Sequence, residues 1–194
     1  MFEKLALHIT CWLEKYKVIK QDEIVVVKWG IKNILDTIFN VTTFLIIGIL
    51  MGMITETVFF TIGYIPLRSY AGGYHAKTPF RCWIVSSLIL FIAMNMICSL
   101  KNFSFAFVVL AVISVFILIL LMPVSDIHKP LNENDKLNYK IKGIVILSIE
   151  ILISIMFFII GWVVLTYSFF SIWILLTIML ILGEIKNKIN KNVQ

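Results

Sequence analysis

The chain reads as an all-α integral membrane protein, with about six transmembrane helices preceded by an N-terminal amphipathic helix at the interface. Three observations carry this. Of the 194 residues, 60% are hydrophobic and only 14% are charged, more apolar surface than a soluble domain of this size can cover. Apolar stretches of near-spanning length recur along the chain. Nearly all of the 17 Lys and Arg side chains fall on alternate connections and at the termini.

Phe2, Leu5, Ile9, Trp12 and Tyr16 recur at spacings of three and four, while Lys4, Glu14, Lys15 and Lys17 fall largely elsewhere on the wheel. Residues 1–20 therefore form an amphipathic helix suited to the membrane surface, a pattern that also suits packing on a cytoplasmic partner. The same charges argue against a cleavable signal peptide. Asp22 is placed to cap a second helix, which is too polar for lipid at Lys28, Lys32 and Asp36 and then runs on into the membrane. Apolar stretches follow at about 37–54, 57–71, 82–100, 103–122, 143–165 and 168–184. A spanning helix needs roughly 17–25 residues, so 57–71 is marginal and 168–184 is near the lower limit. The connections 54–57, 100–103 and 165–168 are tight, whereas 67–82 and 122–143 are longer and polar. Residues 1–194 contain no internal repeat and no second domain.

Charge orients the bundle. The N-terminal region carries Lys4, Lys15, Lys17, Lys20, Lys28 and Lys32, and the 67–82 loop carries Arg68, Lys77 and Arg81. Lys129, Lys136, Lys140 and Lys142 lie on the 122–143 loop, and Lys186, Lys188 and Lys191 on the tail. Lys101 alone lies on the opposite side. The positive-inside rule puts both termini and both long loops in the cytoplasm of a multi-pass cell-membrane protein. This distribution also accounts for the net charge of +6, so the lipid bilayer and not nucleic acid is the expected partner.

Chemistry concentrates between Pro66 and Trp83. Pro66 and Gly72-Gly73 break any continuous helix there. Thr78 and Pro79 then read as a helix start, threonine as N-cap and proline at the first position, where its missing N–H costs nothing. Cys82 falls in the first turn, close to unpaired N–H groups and the positive dipole end, surroundings in which thiols ionise more readily. In a straight helix His75 would lie about 10 Å from it. The break is what allows the imidazole to fold back onto the sulfur. With Lys77 and Arg81 nearby, Cys82 is a candidate nucleophile, set against the plainer reading of an ordinary helix-end cysteine.

Other chemistry-bearing residues read more plainly. Cys98 lies within an apolar run and Cys11 on the amphipathic helix, both as packing residues. The three cysteines lack paired spacing, so no disulfide framework or zinc site is indicated, and a metal site of His75, Cys82 and His128 has no close-spaced ligand pair. His8 and His128 read as solvated. Glu150 lies inside a span and needs a partner: a packing hydrogen bond, a buried pair with Arg68, or a substrate-orienting or proton-handling role.

The pattern Arg68-x4-Gly73-x-His75-Ala-x5-Cys82 resembles the accessory gene regulator protein B family, Gram-positive membrane endopeptidases that process a quorum-sensing pro-peptide. The N-terminal amphipathic helix, the hydrophobic layout and Pro123…Lys129-Pro130 are similar to that family too. The 131–142 segment, with Glu133 and Asp135, is more acidic than the family pattern. The resemblance implies a cofactor-free cysteine peptidase with Cys82 as nucleophile and His75 as general base. Cys82 would cleave off the C-terminal tail and hold the peptide as a thioester, and a Cys or Ser of the peptide would then close a thiolactone or lactone. N–H groups at the start of the 79–100 helix would hold the oxyanion. Arg68, Gly73, Lys77, Arg81, Lys129 and Glu150 would bind substrate or support the site. The implied partner is a small pro-peptide with an acidic tail, and a homodimer is compatible. The competing class is a non-enzymatic six-span peptide transporter or binding scaffold. Transporters usually break helices near the midplane, whereas this break lies at the cytoplasmic edge.

Overall fold

The computed structural model describes residues 2–74, 78–99, 104–124 and 132–191. Among the described residues seven α-helices follow in order: α1 (Glu3–Lys15), α2 (Ile24–Leu50), α3 (Ile54–Ala71), α4 (Pro79–Ser99), α5 (Phe105–Leu121), α6 (Glu133–Ile160) and α7 (Val163–Lys191). Four of them, α2, α4, α6 and α7, are long and apolar enough to cross a membrane. The apolar α5 is shorter at 17 residues. The 18-residue α3 carries Glu56, Pro66 and Arg68 and is not among the four. The architecture is thus all-α, with several long apolar helices, as in a multi-span membrane protein. It has four clear candidate spans where the sequence suggested about six.

Of the apolar window of α7, 72% is buried, against 11% for α2. α7 is the axis of the bundle, packed against α3, α4, α5 and α6. Its inward face includes Tyr167, Phe169, Ile172, Trp173 and Leu176, with Ser168, Ser171 and Thr177 between them. The Thr177 hydroxyl donates to the Ser114 carbonyl of α5 at 3.1 Å, and the Tyr167 hydroxyl accepts from the Ser104 N–H at 2.8 Å. Val25, Leu50, Phe116, Leu120, Leu152 and Ile159 are exposed, a large apolar periphery suited to lipid.

Several helix ends differ from the sequence reading. α3 continues through Pro66 and stops only at Gly72, whose φ is +75°. Proline removes one intrahelical hydrogen bond, which packed neighbours can compensate in a membrane bundle. The last hairpin turns at Gly161, in a left-handed C-cap, and not at 165–168. Residues 133–142 are not loop but the first turns of α6. Glu133 and Asp135 sit where acidic side chains complement the helix dipole, and Lys136 pairs with Glu133 at 2.8 Å. Asp22 does not cap α2: a 3₁₀ turn, Gln21–Glu23, precedes it, and the Lys20 N–H donates to Glu23 Oε2 at 3.0 Å.

α1 folds back onto α2, joined by a Phe2–Phe39 ring contact at 5.6 Å and a Lys28–Glu3 pair at 3.4 Å. The residues buried in that contact are Ala6 and Thr10, while Leu5, Trp12 and Tyr16 stay exposed. α1 therefore has one face for α2 and a second apolar face left outward. Cys11 is exposed and not packed.

Candidate active site

The chain leaves α3 through two glycines whose backbones are pressed against other parts of the protein. The Gly73 N–H donates to the Val124 carbonyl at 3.1 Å, and the Val124 N–H donates to the Ala71 carbonyl at 2.9 Å, forming a parallel bridge between 72 and 124. A Cβ on Gly72 would lie 2.1 Å from the Val124 carbonyl oxygen, so only glycine fits. Gly73 has φ +109°, a conformation open chiefly to glycine. The Tyr74 N–H donates to the Met179 carbonyl of α7 at 2.9 Å. The polar backbone groups of this turn are thereby anchored, as their burial requires.

Arg68, in the last turn of α3, reaches over this turn. Its Nη2 donates to the Tyr74 carbonyl, while Nη1 is buried without a hydrogen-bond partner among the described residues. One turn earlier on α3 lies the buried Tyr64, within electrostatic range of both Arg68 and Cys82. The sequence reading missed Tyr64; its signal was the i, i+4 spacing from Arg68 on one helix face.

The α4 start forms as its residues dictate. The Arg81 N–H donates to Thr78 Oγ1 at 3.3 Å and the Cys82 N–H to the Thr78 carbonyl at 3.1 Å. Both amides are therefore occupied and Pro79 has none, so Arg81 and Cys82 do not supply the free oxyanion donors expected of this helix start. The Cys82 thiol is half-buried, and the Arg81 side chain is exposed. Next to it, Trp83 Nε1 donates to Thr43 Oγ1 of α2 at 3.0 Å, holding the α4 start against α2. Cys98 is exposed on the outer surface of α4. His75, Lys77, His128 and Lys129 lie outside the described residues. Among the described residues, no three His, Cys, Asp or Glu side chains converge as metal ligands.

Beside the turn an open, mostly apolar cleft of about 420 Å³ lies between α4 and α7, lined by Tyr74, Val85, Met179, Leu182, Ile185 and Lys186 among others. Val85 is one turn beyond Cys82 on α4.

Glu150 is separate from this group. Its buried carboxyl accepts from Trp173 Nε1 at 2.9 Å, and it does not pair with Arg68. The packing bond of the three alternatives is the one formed, joining α6 to α7. Trp173→Phe removes the donor and is expected to cost about 1–3 kcal/mol. Glu150→Gln keeps an acceptor and should cost less. Unfolding midpoints in detergent check this; equal losses would mean the hydrogen bond contributes nothing.

A bundle of long apolar helices, four of them long enough to cross a bilayer, is the architecture of a multi-span membrane protein. The chain belongs to the accessory gene regulator B family, whose pattern matches residues 6–187. It is 28% identical over 149 residues to a putative AgrB-like protein of Clostridium perfringens strain SM101, covering 71% of this chain and 70% of that one. It is 26% identical over 129 residues to an accessory gene regulator protein B of Staphylococcus carnosus, covering 66% and 67%. No solved structure matches the chain.

Proposed function

We propose that this protein is a membrane cysteine endopeptidase that removes the C-terminal tail of a quorum-sensing pro-peptide and cyclises the remainder. The observation that carries this is the half-buried Cys82 in the first turn of α4, a start capped by Thr78, together with Arg68 tied to the carbonyl of Tyr74, the residue that precedes His75 in the sequence. Family membership supports it. In the first step the Cys82 sulfur attacks the scissile carbonyl, and His75 takes the thiol proton. The C–N bond then breaks and the amine leaves with that proton, which leaves the peptide as a thioester on Cys82. In the second step a thiol or hydroxyl of the peptide attacks the thioester carbonyl. The bond to Cys82 breaks and the sulfur recovers a proton. Exchange of one thioester for another is nearly balanced, so a thiolactone can close without ATP if water is excluded. The cleft between α4 and α7, whose wall includes Val85 one turn beyond Cys82, offers apolar walls for the peptide. Arg68 Nη1, buried and unpaired among the described residues, is a donor placed for a substrate carbonyl or carboxylate.

The test uses a pro-peptide whose internal Cys and Ser residues are replaced by Ala, so that ring closure has no nucleophile. Mass spectrometry should then find Cys82 carrying the peptide without its tail. Tail release with no adduct at Cys82, even at short times, would refute the thioester route.

In this reading both termini and the connection between α3 and α4 face the cytoplasm, as the Lys and Arg distribution requires. A reporter fused after Gln194 or a label at Lys136 should report inside, and one beside Glu56 outside. A connection between α3 and α4 accessible only from outside would end the mechanism, because the pro-peptide would never meet Cys82.

Lys77, Arg81 and Lys129 would attract the acidic tail. Added salt should weaken this, since surface charges are screened over about 8–10 Å. Neutralising all three together is expected to slow cleavage of acid-tailed peptides; unchanged rates would assign recognition to apolar contacts.

A further inference from the structure

Near the end of α7 one residue is buried where its neighbours are not: Ile181, Leu182 and Ile185 are exposed, and Gly183 is covered. Backbone covers it. A Cβ at position 183 would lie 2.7 Å from the Gly73 carbonyl carbon, 2.8 Å from the Tyr74 nitrogen and 3.0 Å from the Gly73 Cα. No rotamer change can relieve those contacts, so a side chain at 183 must push the turn away. The fit is reciprocal. A Cβ on Gly73 would lie 3.0 Å from the Met179 carbonyl oxygen, the same atom that accepts the Tyr74 N–H at 2.9 Å. On the rim, Lys186 Nζ lies 5.3 Å from the Tyr74 ring centroid, within range of a cation–π attraction. Two glycines from distant parts of the chain thus let a turn and a helix meet backbone to backbone.

We propose that Gly183 is a positioning residue for the cysteine chemistry. Its absent side chain makes a notch in α7 that seats the Gly73–Tyr74 backbone, and the seat sets where the chain enters His75. Gly183 touches neither substrate nor reacting atoms and acts only through that turn. The inference rests on the reading of His75 and Cys82 given above, and the experiment separates the two.

The measurement is the rate of Cys82 labelling by iodoacetamide across a range of pH. It uses the full chain in lipid nanodiscs with Cys11 and Cys98 replaced by Ala. His75→Ala should alter the pH profile, and Gly183→Ala should reproduce that altered profile while the protein stays folded. Turnover of the pro-peptide by Gly183→Ala should fall about a hundredfold, with KM little changed. Gly30→Ala, where nothing lies within 4 Å of the added Cβ, should leave both readouts as they were. Lys186→Gln loosens the same seat from its rim and should move the profile in the same direction by less. If Gly183→Ala fails to fold, Lys186→Gln decides alone. An unchanged profile in the deciding variant, with His75→Ala still effective, overturns the positioning role and leaves the dyad standing. A profile indifferent to His75→Ala removes the dyad and this inference with it.

Discussion

Cys82→Ala is expected to abolish release of the pro-peptide tail, by about 10⁴-fold or more, the scale on which covalent catalysis is lost with its nucleophile. The geometry makes the loss specific to one of three thiols. Cys82 is half-buried in the first turn of α4, whereas Cys11 and Cys98 are exposed on other helices or faces. Cys11→Ala and Cys98→Ala should therefore retain near-normal turnover. Cys82→Ser should still bind peptide yet accumulate no thioester. Incubation of each purified variant with pro-peptide, followed by mass analysis of the released tail, decides the matter. Tail release by Cys82→Ala would mean that another group is the nucleophile.

The second large effect is expected at Arg68. Its guanidinium donates to the Tyr74 carbonyl from the last turn of α3 and so connects the end of that helix to the turn that rests on α7. Arg68→Ala leaves that carbonyl without its charged donor and frees the turn to drift. A displacement of about 1 Å in a catalytic group can cost roughly a hundredfold in rate. Arg68→Lys should fail almost as badly, because a single ammonium cannot serve the Tyr74 carbonyl and offer a second planar donor at once. The readout is turnover together with the unfolding midpoint. A large loss of turnover at little loss of stability fits a role in the site. Parallel loss of both would reduce Arg68 to a structural residue.

Much of this site was legible in the residues themselves, because local chemistry determines it. Thr78-Pro79 starts a helix wherever the chain is free to do so, and it places Cys82 in the first turn. Gly72 ends α3 because its φ of +75° is open to glycine and strained for other residues. The apolar composition and the Lys and Arg distribution required a membrane bundle before any contact was known. Errors arose where a local signal had no single meaning. Pro66 reads as a breaker, yet α3 continues through it. Residues 143–165 read as one apolar stretch with the turn after it, yet the last hairpin turns within it, at Gly161.

What only the tertiary structure decided is which helix lies at the centre and what rests on it. Hydropathy measures transfer out of water, and lipid tails are as apolar as a protein core, so α2 and α7 look alike in sequence while one faces outward and the other is the axis of the bundle. The partners of Arg68 and Glu150 were ambiguous for a related reason. Each could have satisfied the other, and the fold instead gave Arg68 the Tyr74 carbonyl and Glu150 the Trp173 indole. Gly183 carried no signal at all. Its importance lies in an absent side chain opposite a turn far away in sequence, and such a contact exists only once the chain has brought two backbones together.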